Sequence, residues 1–276
     1  MKKIIVTGGA GFIGSHLVKK LIDNGAEEIL VIDDLSTGKA ENIKDFKEVE
    51  FLNKKIEEID NLAEVFSNFE FCYHLAAGVG VQYIMENLSK SLLTNIEGTH
   101  KVFEACKENN IPVLITSTSE IYGDPEIHPQ NESYKGAVSI EGPRACYDEG
   151  KRCAETLFFD YHRQNNVDIR VVRIFNTYGP RMRPDDGRVV SNFIIQALSN
   201  KNITIYGEGD QTRSFCYEDD LISGIILMME KDNFCGPINL GNPSEISIKQ
   251  LASEIIEITE PEPSCIDEVL ITNSSC

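Results

Sequence analysis

Short β-branched runs alternate with longer segments of helical period along the first half of the chain. Lys3–Thr7 reads as a strand, Ile13–Asn24 as an amphipathic helix stopped at Gly25, and Glu28–Ile32 as a second strand. Val49–Asn53, Phe71–Leu75 and Val113–Thr116 are further short apolar runs, with helical patterns over Asn61–Asn68 and Ser91–Asn109. Strands that are apolar throughout, joined by helices, belong to a parallel sheet covered on both faces. The fold class is therefore α/β, a Rossmann-type doubly wound parallel sheet.

Past Pro143 the pattern loosens. Arg144–Gln164 reads as a long helix, Asp168–Phe175 as a strand, Val189–Asn200 and Asp219–Glu230 as helices, and Thr204–Tyr206 as a short extended piece. Gly-, Pro- and Asp-rich loops separate them at Asn176–Gly187, Gly207–Gln211 and Gly236–Ser244, where a substrate lobe would be built. Residues 1–165 are expected to form a nucleotide-binding domain carrying a catalytic helix. Residues 166–276 are expected to interleave the last sheet strands with a partial, apparently truncated C-terminal lobe, which Ile246–Ile258 begins and Thr259–Cys276 leaves trailing in Glu, Pro and Ser.

The turn after the first strand, Val6-Thr7-Gly8-Gly9-Ala10-Gly11-Phe12-Ile13-Gly14, spaces three glycines for a tight bend, a close backbone approach to a pyrophosphate and close helix–strand packing. A structural turn would need no more than this, but the second strand ends in Asp33, 19 residues past Gly14. A carboxylate there binds ribose hydroxyls and repels a 2′-phosphate, favouring NAD over NADP. Asp33, Asp34, Leu35, Ser36, Thr37 and Gly38 form the adjoining turn.

Tyr147 and Lys151 are four apart in the long helix and so share a face. A nearby ammonium favours the phenolate and brings a tyrosine toward use as a base. Upstream, Thr116-Ser117-Thr118-Ser119-Glu120-Ile121-Tyr122-Gly123 opens a buried strand into hydroxyls and a carboxylate, at the end of the sheet where ligands bind. Thr118 is placed to hydrogen-bond a reacting oxygen and Glu120 to act as a second acid or base.

Composition narrows the partners. The chain has 276 residues, 41% of them hydrophobic and 25% charged, enough for one large core or a core plus a lobe. The net charge of −18, with no cluster of Lys and Arg, argues against nucleic acid and anionic membranes. No apolar run approaches the ~20 residues of a membrane span, and the N-terminus is too short in its apolar part for a secretory signal, so a cytoplasmic location is expected. The eight cysteines form no CxxC pair and the five histidines are scattered, so no metal is expected.

The glycine turn, Ser-Thr-Ser-Glu-Ile-Tyr-Gly (117–123) and the Tyr147/Lys151 pair together resemble the extended short-chain dehydrogenase/reductase family of nucleotide-sugar epimerases, dehydratases and decarboxylases. The runs Ser117–Gln130, Gly142–Glu155, Arg173–Met182, Asp186–Ile194 and Ile205–Phe215 are most similar to its UDP-glucuronate decarboxylase branch. The resemblance implies a resident NAD, a UDP-sugar substrate, oxidation at C4 with Tyr147 as base, and a homodimer pairing the helices that follow Asn95 and Tyr147. It also implies cofactor contacts at Gly8, Gly11, Phe12, Ile13, Gly14, the 33–38 turn, Ile56, Leu75, Ala76, Ala77, Asn95, Ser117, Tyr147, Lys151, Thr177 and Arg188. Substrate contacts are implied at Glu120, Asn176, Arg188, Val189, Ser191, Tyr206 and Arg213.

Three departures from the family pattern bear on the cofactor and the substrate. Lys55 stands where the family usually places an Asp against adenine; His74–Gln82 looks more like the loop of 4-epimerases; and the chain ends before the basic stretch and two helices that family members commonly carry. The activity that the resemblance implies is decarboxylation of UDP-glucuronate to UDP-xylose. The alternatives are a UDP-hexose 4-epimerase or a catalytically impaired paralogue that binds NAD or a nucleotide sugar.

Overall fold

The computed structural model describes residues 2–78, 84, 88–142, 145–259 and 270–272. By packing, Met1–Ile174 with Glu218–Leu240 form one unit, and Phe175–Tyr217 with Gly241–Cys276 form the other.

The first unit is built on seven strands: β1 (Lys2–Thr7), β2 (Ala26–Ile32), β3 (Val49–Leu52), β4 (Phe71–His74), β5 (Val113–Thr118), β6 (Ile169–Ile174) and β11 (Ile238–Leu240). They pair in the order β11-β6-β5-β4-β1-β2-β3, every pairing parallel. Ile4, Ile5, Val6, Ile29, Val31, Val113, Leu114, Ile169 and Val171 are buried, as a sheet covered on both faces requires. The chain runs outward from β1 to β3 and then returns to β4 on the other side of β1, which makes the β1/β4 boundary a topological switch point. Thr7 pairs with His74 across it, so the turns leaving both strands begin side by side.

The described helices of this unit that precede β6 are α1 (Phe12–Asp23), α2 (Leu62–Phe66), α3 (Leu88–Leu93), α4 (Thr99–Asn109) and α5 (Ala145–Asn165). A π-helical turn, Thr94–Gly98, joins α3 to α4. The helical reading of Ser91–Asn109 thus begins earlier and contains an irregular turn, a feature that hydrophobic period does not report. On this face Phe103 and Phe158 pack edge-to-face, their centroids 3.8 Å apart, in a core with Ile5, Ile32, Phe66, Val102 and Ile115. Three sheet features differ from the sequence reading. β5 runs two residues further than expected, β6 ends at Ile174, and β11 lies inside the segment 236–244 read as loop.

The second unit holds α6 (Val189–Leu198) and α8 (Ile248–Thr259), which share a core of Phe193, Ala197, Ile203, Ile205, Ile248, Ala252 and Ile255. The helix between them in sequence, α7 (Glu218–Met229), belongs to the first unit. Three small pairings complete the second unit. β7 (Thr177–Tyr178) pairs with β10 (Cys216–Tyr217), β9 (Thr212–Ser214) with β12 (Glu245–Ser247), and β8 (Thr204–Tyr206) with β13 (Leu270–Thr272). The tail read as trailing off therefore returns as a strand at 270–272. Among the described residues no helix is long and apolar enough to cross a membrane.

Candidate active site

The glycine turn is shaped by what its backbone must avoid. Gly8 has φ +72°, a left-handed conformation favouring glycine, and a Cβ there would lie 2.8 Å from the Ala76 nitrogen. A Cβ on Gly14 would sit 2.1 Å from the Gly8 carbonyl oxygen, so the first turn of α1 presses directly on the bend. Gly11 caps α1, followed by half-buried Phe12 and Ile13. The helix N-terminus, with its free N–H groups and positive dipole end, opens at the end of β1.

Asp33 follows β2 and is 8% exposed. Its carboxylate accepts from the Ala10 N–H at 3.0 Å and the Leu35 N–H at 2.9 Å, which fixes it beside the glycine turn. Burial pushes its pKa up against the backbone donors that favour the anion. Asp34 is exposed and accepts from the Ser36 N–H, Leu35 has φ +58°, and Thr37 and Gly38 are half-buried. Ile56 is buried at the start of a 3₁₀ turn after β3, while Lys55 before it pairs with Glu58 at 3.0 Å.

At the end of β4 a buried histidine organises the floor. His74 Nδ1 lies 2.7 Å from the Thr7 hydroxyl and Nε2 3.1 Å from that of Thr99. The Thr7 oxygen also accepts from the Ala76 N–H at 3.2 Å. Burial, then the Lys151 charge, pushes the His74 pKa down to about 3, so the ring is neutral and serves as a strut. Leu75, Ala76 and Ala77 are half-buried beyond it. Gly78 donates its N–H to Asn95 Oδ1 at 3.0 Å, Asn95 lying in the π-helical turn. Val79–Gln82, the rest of the epimerase-like loop, and Pro143 and Arg144 lie outside the described residues.

β5 ends in Ser117 and Thr118, and a 3₁₀ turn, Ser119–Tyr122, carries Glu120. The Thr118 hydroxyl accepts from the Glu120 N–H at 3.2 Å. Lys151 is buried on α5 and donates to the Thr116 carbonyl at 2.9 Å, which ties the helix to β5. Desolvation pushes its pKa down to about 8, opposed by Glu155 one turn further on. Tyr147 is half-buried one turn before Lys151 on the same face of α5.

The donor set fits a dinucleotide on observations internal to the fold. The cradle at Gly8 and Gly14 tolerates no side chain, and the Ser117 Oγ and Asn95 Nδ2 atoms are buried without a partner among the described residues. Buried polar atoms left in this way are open to a bond from another molecule. Among the described residues no group of three His, Cys, Asp or Glu side chains is placed to hold a metal ion.

The other expected contacts lie in the second unit. Arg188 caps α6 and holds Asp186 through Nε at 2.7 Å and Nη2 at 2.6 Å; Val189 opens the helix, and the buried Ser191 bonds the Arg188 carbonyl. Asn176 donates to the Ser214 carbonyl at 3.4 Å, and Thr177 is buried in β7. Tyr206, at the end of β8, is 63% exposed, and Arg213 is exposed in β9.

Arg173 was not among the residues expected at the site. It is 8% exposed in β6 and bonds both Glu155 of α5 and Tyr122 of the 3₁₀ turn. The signal was present: an arginine inside an apolar strand of a covered sheet needs a buried partner.

A family model described as the NAD dependent epimerase/dehydratase family matches residues 4–241. UDP-glucuronic acid decarboxylase 6 of Arabidopsis thaliana is 48% identical over 260 residues, spanning 94% of this chain and 75% of that protein. UDP-glucuronic acid decarboxylase 3 of the same plant is 49% identical over 259 residues, with the same coverage. Among solved structures, UDP-glucose 4-epimerase with UDP-glucose from Thermotoga maritima superimposes with a TM-score of 0.88 at 30% identity, covering 99% of this chain and 86% of that one.

Proposed function

The chain belongs to the NAD dependent epimerase/dehydratase family, and from that premise we propose that it decarboxylates UDP-glucuronate to UDP-xylose with a resident NAD. The observation that carries this reading is the near-half identity, over nearly the whole chain, to proteins named UDP-glucuronic acid decarboxylase. The residues of the first unit supply a matching chemistry.

Gly8, Gly11, Phe12, Ile13 and Gly14 receive the pyrophosphate, and Asp33 with the 34–38 turn receives the adenosine ribose. Ile56, Leu75, Ala76 and Ala77 line the adenine and ribose side, and Asn95 and Ser117 offer their open polar atoms. NAD+, when bound, supplies the hydride acceptor for C4 of the sugar and later returns the same hydride. Tyr147, as a phenolate stabilised by the Lys151 ammonium, takes the proton from the 4-hydroxyl. Thr118 donates a hydrogen bond to O4, holding its charge as the C5–C6 bond breaks, CO2 leaves and the electron pair enters the enolate. Glu120 delivers the proton to C5. Tyr147 then gives its proton back to O4, so the cycle consumes one proton and releases one CO2. Arg188 and Arg213 are assigned to the UDP phosphates, with Asn176, Thr177, Val189, Ser191 and Tyr206 as the remaining ligand contacts.

The proposal extends to a homodimer formed through α3, α4 and α5, supported by the exposed Leu88, Leu93 and Ile140 on and beside these helices. It also places the chain in the reducing cytoplasm, supported by six described cysteines that are all free. Incubating the protein and NAD with UDP-glucuronate, UDP-glucose and UDP-galactose, followed by mass spectrometry of the products, tests the reading. A UDP-pentose from UDP-glucuronate is expected. Interconversion of the two hexoses without a pentose would replace it with the 4-epimerase reading, which the fold shared with UDP-glucose 4-epimerase and the Ala76–Gln82 segment favour.

A further inference from the structure

Three polar ties cross from α5 to β5 and the segment that leaves it. Lys151 reaches the Thr116 carbonyl at 2.9 Å, and Arg152 reaches the carbonyls of Ile121 and Lys135, each at 2.9 Å. The third tie is the most elaborate and involves none of the residues assigned above to ligand contact. Arg173 donates through Nε to Glu155 Oε1 at 3.0 Å and through Nη2 to Oε2 at 2.8 Å. Its Nη1 donates to the Tyr122 hydroxyl at 2.8 Å and to the Glu132 carbonyl at 3.2 Å, and its guanidinium lies 5.0 Å from the Tyr122 ring centroid.

The network is closed at its far end as well. The Tyr122 hydroxyl donates to Asn239 Oδ1 at 2.7 Å, Asn239 Nδ2 donates to the Gln130 carbonyl at 3.0 Å, and its backbone N–H donates to Glu132 Oε1 at 2.8 Å. One guanidinium therefore joins the helix of Tyr147 and Lys151, the turn of Thr118 and Glu120, and the edge strand β11. A buried ion pair is weak support for stability, because well-packed apolar groups of the same shape generally do as well. What they cannot reproduce is the planar fork, which fixes two partners at set distances and angles.

We propose that Arg173, Glu155 and Tyr122 are positioning residues: together they set the spacing between the Thr118–Glu120 turn and the Tyr147–Lys151 face of α5. The inference deepens the proposed function and rests on its assignment of those four groups. Glu155 lies one turn past Lys151, and its charge supports the ammonium there. Of the other titratable groups, His74 from β4, held neutral, feels the Lys151 charge, and Tyr147 lies one turn before Lys151 on the same face of α5. A small displacement of α5 relative to β5 would separate the base from the hydroxyl and carboxylate that act with it, and such errors are costly in rate.

The test compares the parent with Arg173→Lys and with the triple variant Arg173→Met, Glu155→Leu, Tyr122→Phe, which replaces the network by apolar groups without stranding a charge. Each is assayed on whichever UDP-sugar the parent converts, so failure on UDP-glucuronate itself counts against the proposed function and not against this inference. The triple variant should match the parent in denaturation midpoint and NADH affinity, with KM changed less than threefold and kcat lowered at least about 30-fold. Arg173→Lys, which keeps the charge and loses the fork, should fall between.

A second reading needs no turnover. The Tyr147 phenol in the NAD+-loaded protein, followed as phenolate absorbance against a Tyr147→Phe background, should titrate about one pH unit higher in the triple variant. A triple variant that folds and keeps the parent's kcat, or keeps its Tyr147 titration where no sugar is converted, overturns the proposal. So does a loss of stability with kcat and titration unchanged in the Arg173→Lys variant, which would make the network structural only.

Discussion

Lys151 illustrates how a single side chain can be costly to the fold and useful to the chemistry. It is buried, with its pKa pushed down to about 8 by desolvation, from an ordinary value of 10.5. Below pH 8 the ammonium is held in a site that disfavours it, and the folded state carries that penalty in full. Between pH 8 and 10.5 the unfolded chain binds the extra proton, so stability from this group rises with pH. Lys151→Met removes the penalty, on the order of 3 kcal/mol, against about 1 kcal/mol for the lost bond to the Thr116 carbonyl. We expect the variant to be more stable than the parent by about 2 kcal/mol at pH 7, with that advantage shrinking as the pH passes 8. Urea denaturation at pH 7 and pH 9 measures both, and a variant less stable than the parent at pH 7 would contradict the account. At this scale the sequence was legible where spacing carries meaning, as for Tyr147 and Lys151 or Asp33. An arginine inside the apolar β6 run signalled a buried partner but not which one, because pairing with Glu155 and Tyr122 requires three segments to meet in space.

The elements that bound the site were legible in proportion to their length and period. β1, α1, β2 and α5 each carry a run long enough to state its own type, and their ends fall within two residues of those expected. β11 was hidden because three residues between a Gly-Pro and a Gly-Asn carry no period; it is a strand only because β6 offers it a parallel edge. The π-helical turn at Thr94–Gly98 was hidden for a related reason, since its apolar spacing differs little from that of a regular helix. The glycine turn is the element most exposed to a single change. Gly14→Ala would drive a methyl group into the Gly8 carbonyl, 2.1 Å away, where only backbone can give way. The expected cost is about 3 kcal/mol of stability and at least a tenfold loss of NADH affinity, read by denaturation and by fluorescence titration. Unchanged affinity would mean that the dinucleotide is not seated on this turn.

For the whole molecule, the family and the sheet were legible because they rest on many weak signals that agree. The substrate was not, because it depends on side chains such as Arg188 and Arg213 whose partners in the free protein are Asp186 and the Thr212 carbonyl. The assembly is an expectation at the same scale. Light scattering should give twice the mass of the 276-residue chain, and Leu88→Asp with Leu93→Asp should halve it; a monomeric parent would remove the dimer from the account. The central claim is that Tyr147 takes the proton of the 4-hydroxyl while NAD+ oxidises C4, so that the carboxylate leaves. It is tested most directly with UDP-glucuronate labelled in its carboxyl carbon. The parent loaded with NAD should release labelled CO2 and UDP-pentose in equal amounts with no net NADH, and Tyr147→Phe should release it about 10²–10⁴-fold more slowly. Labelled CO2 from Tyr147→Phe at the parent's rate, or none from the parent, would contradict it.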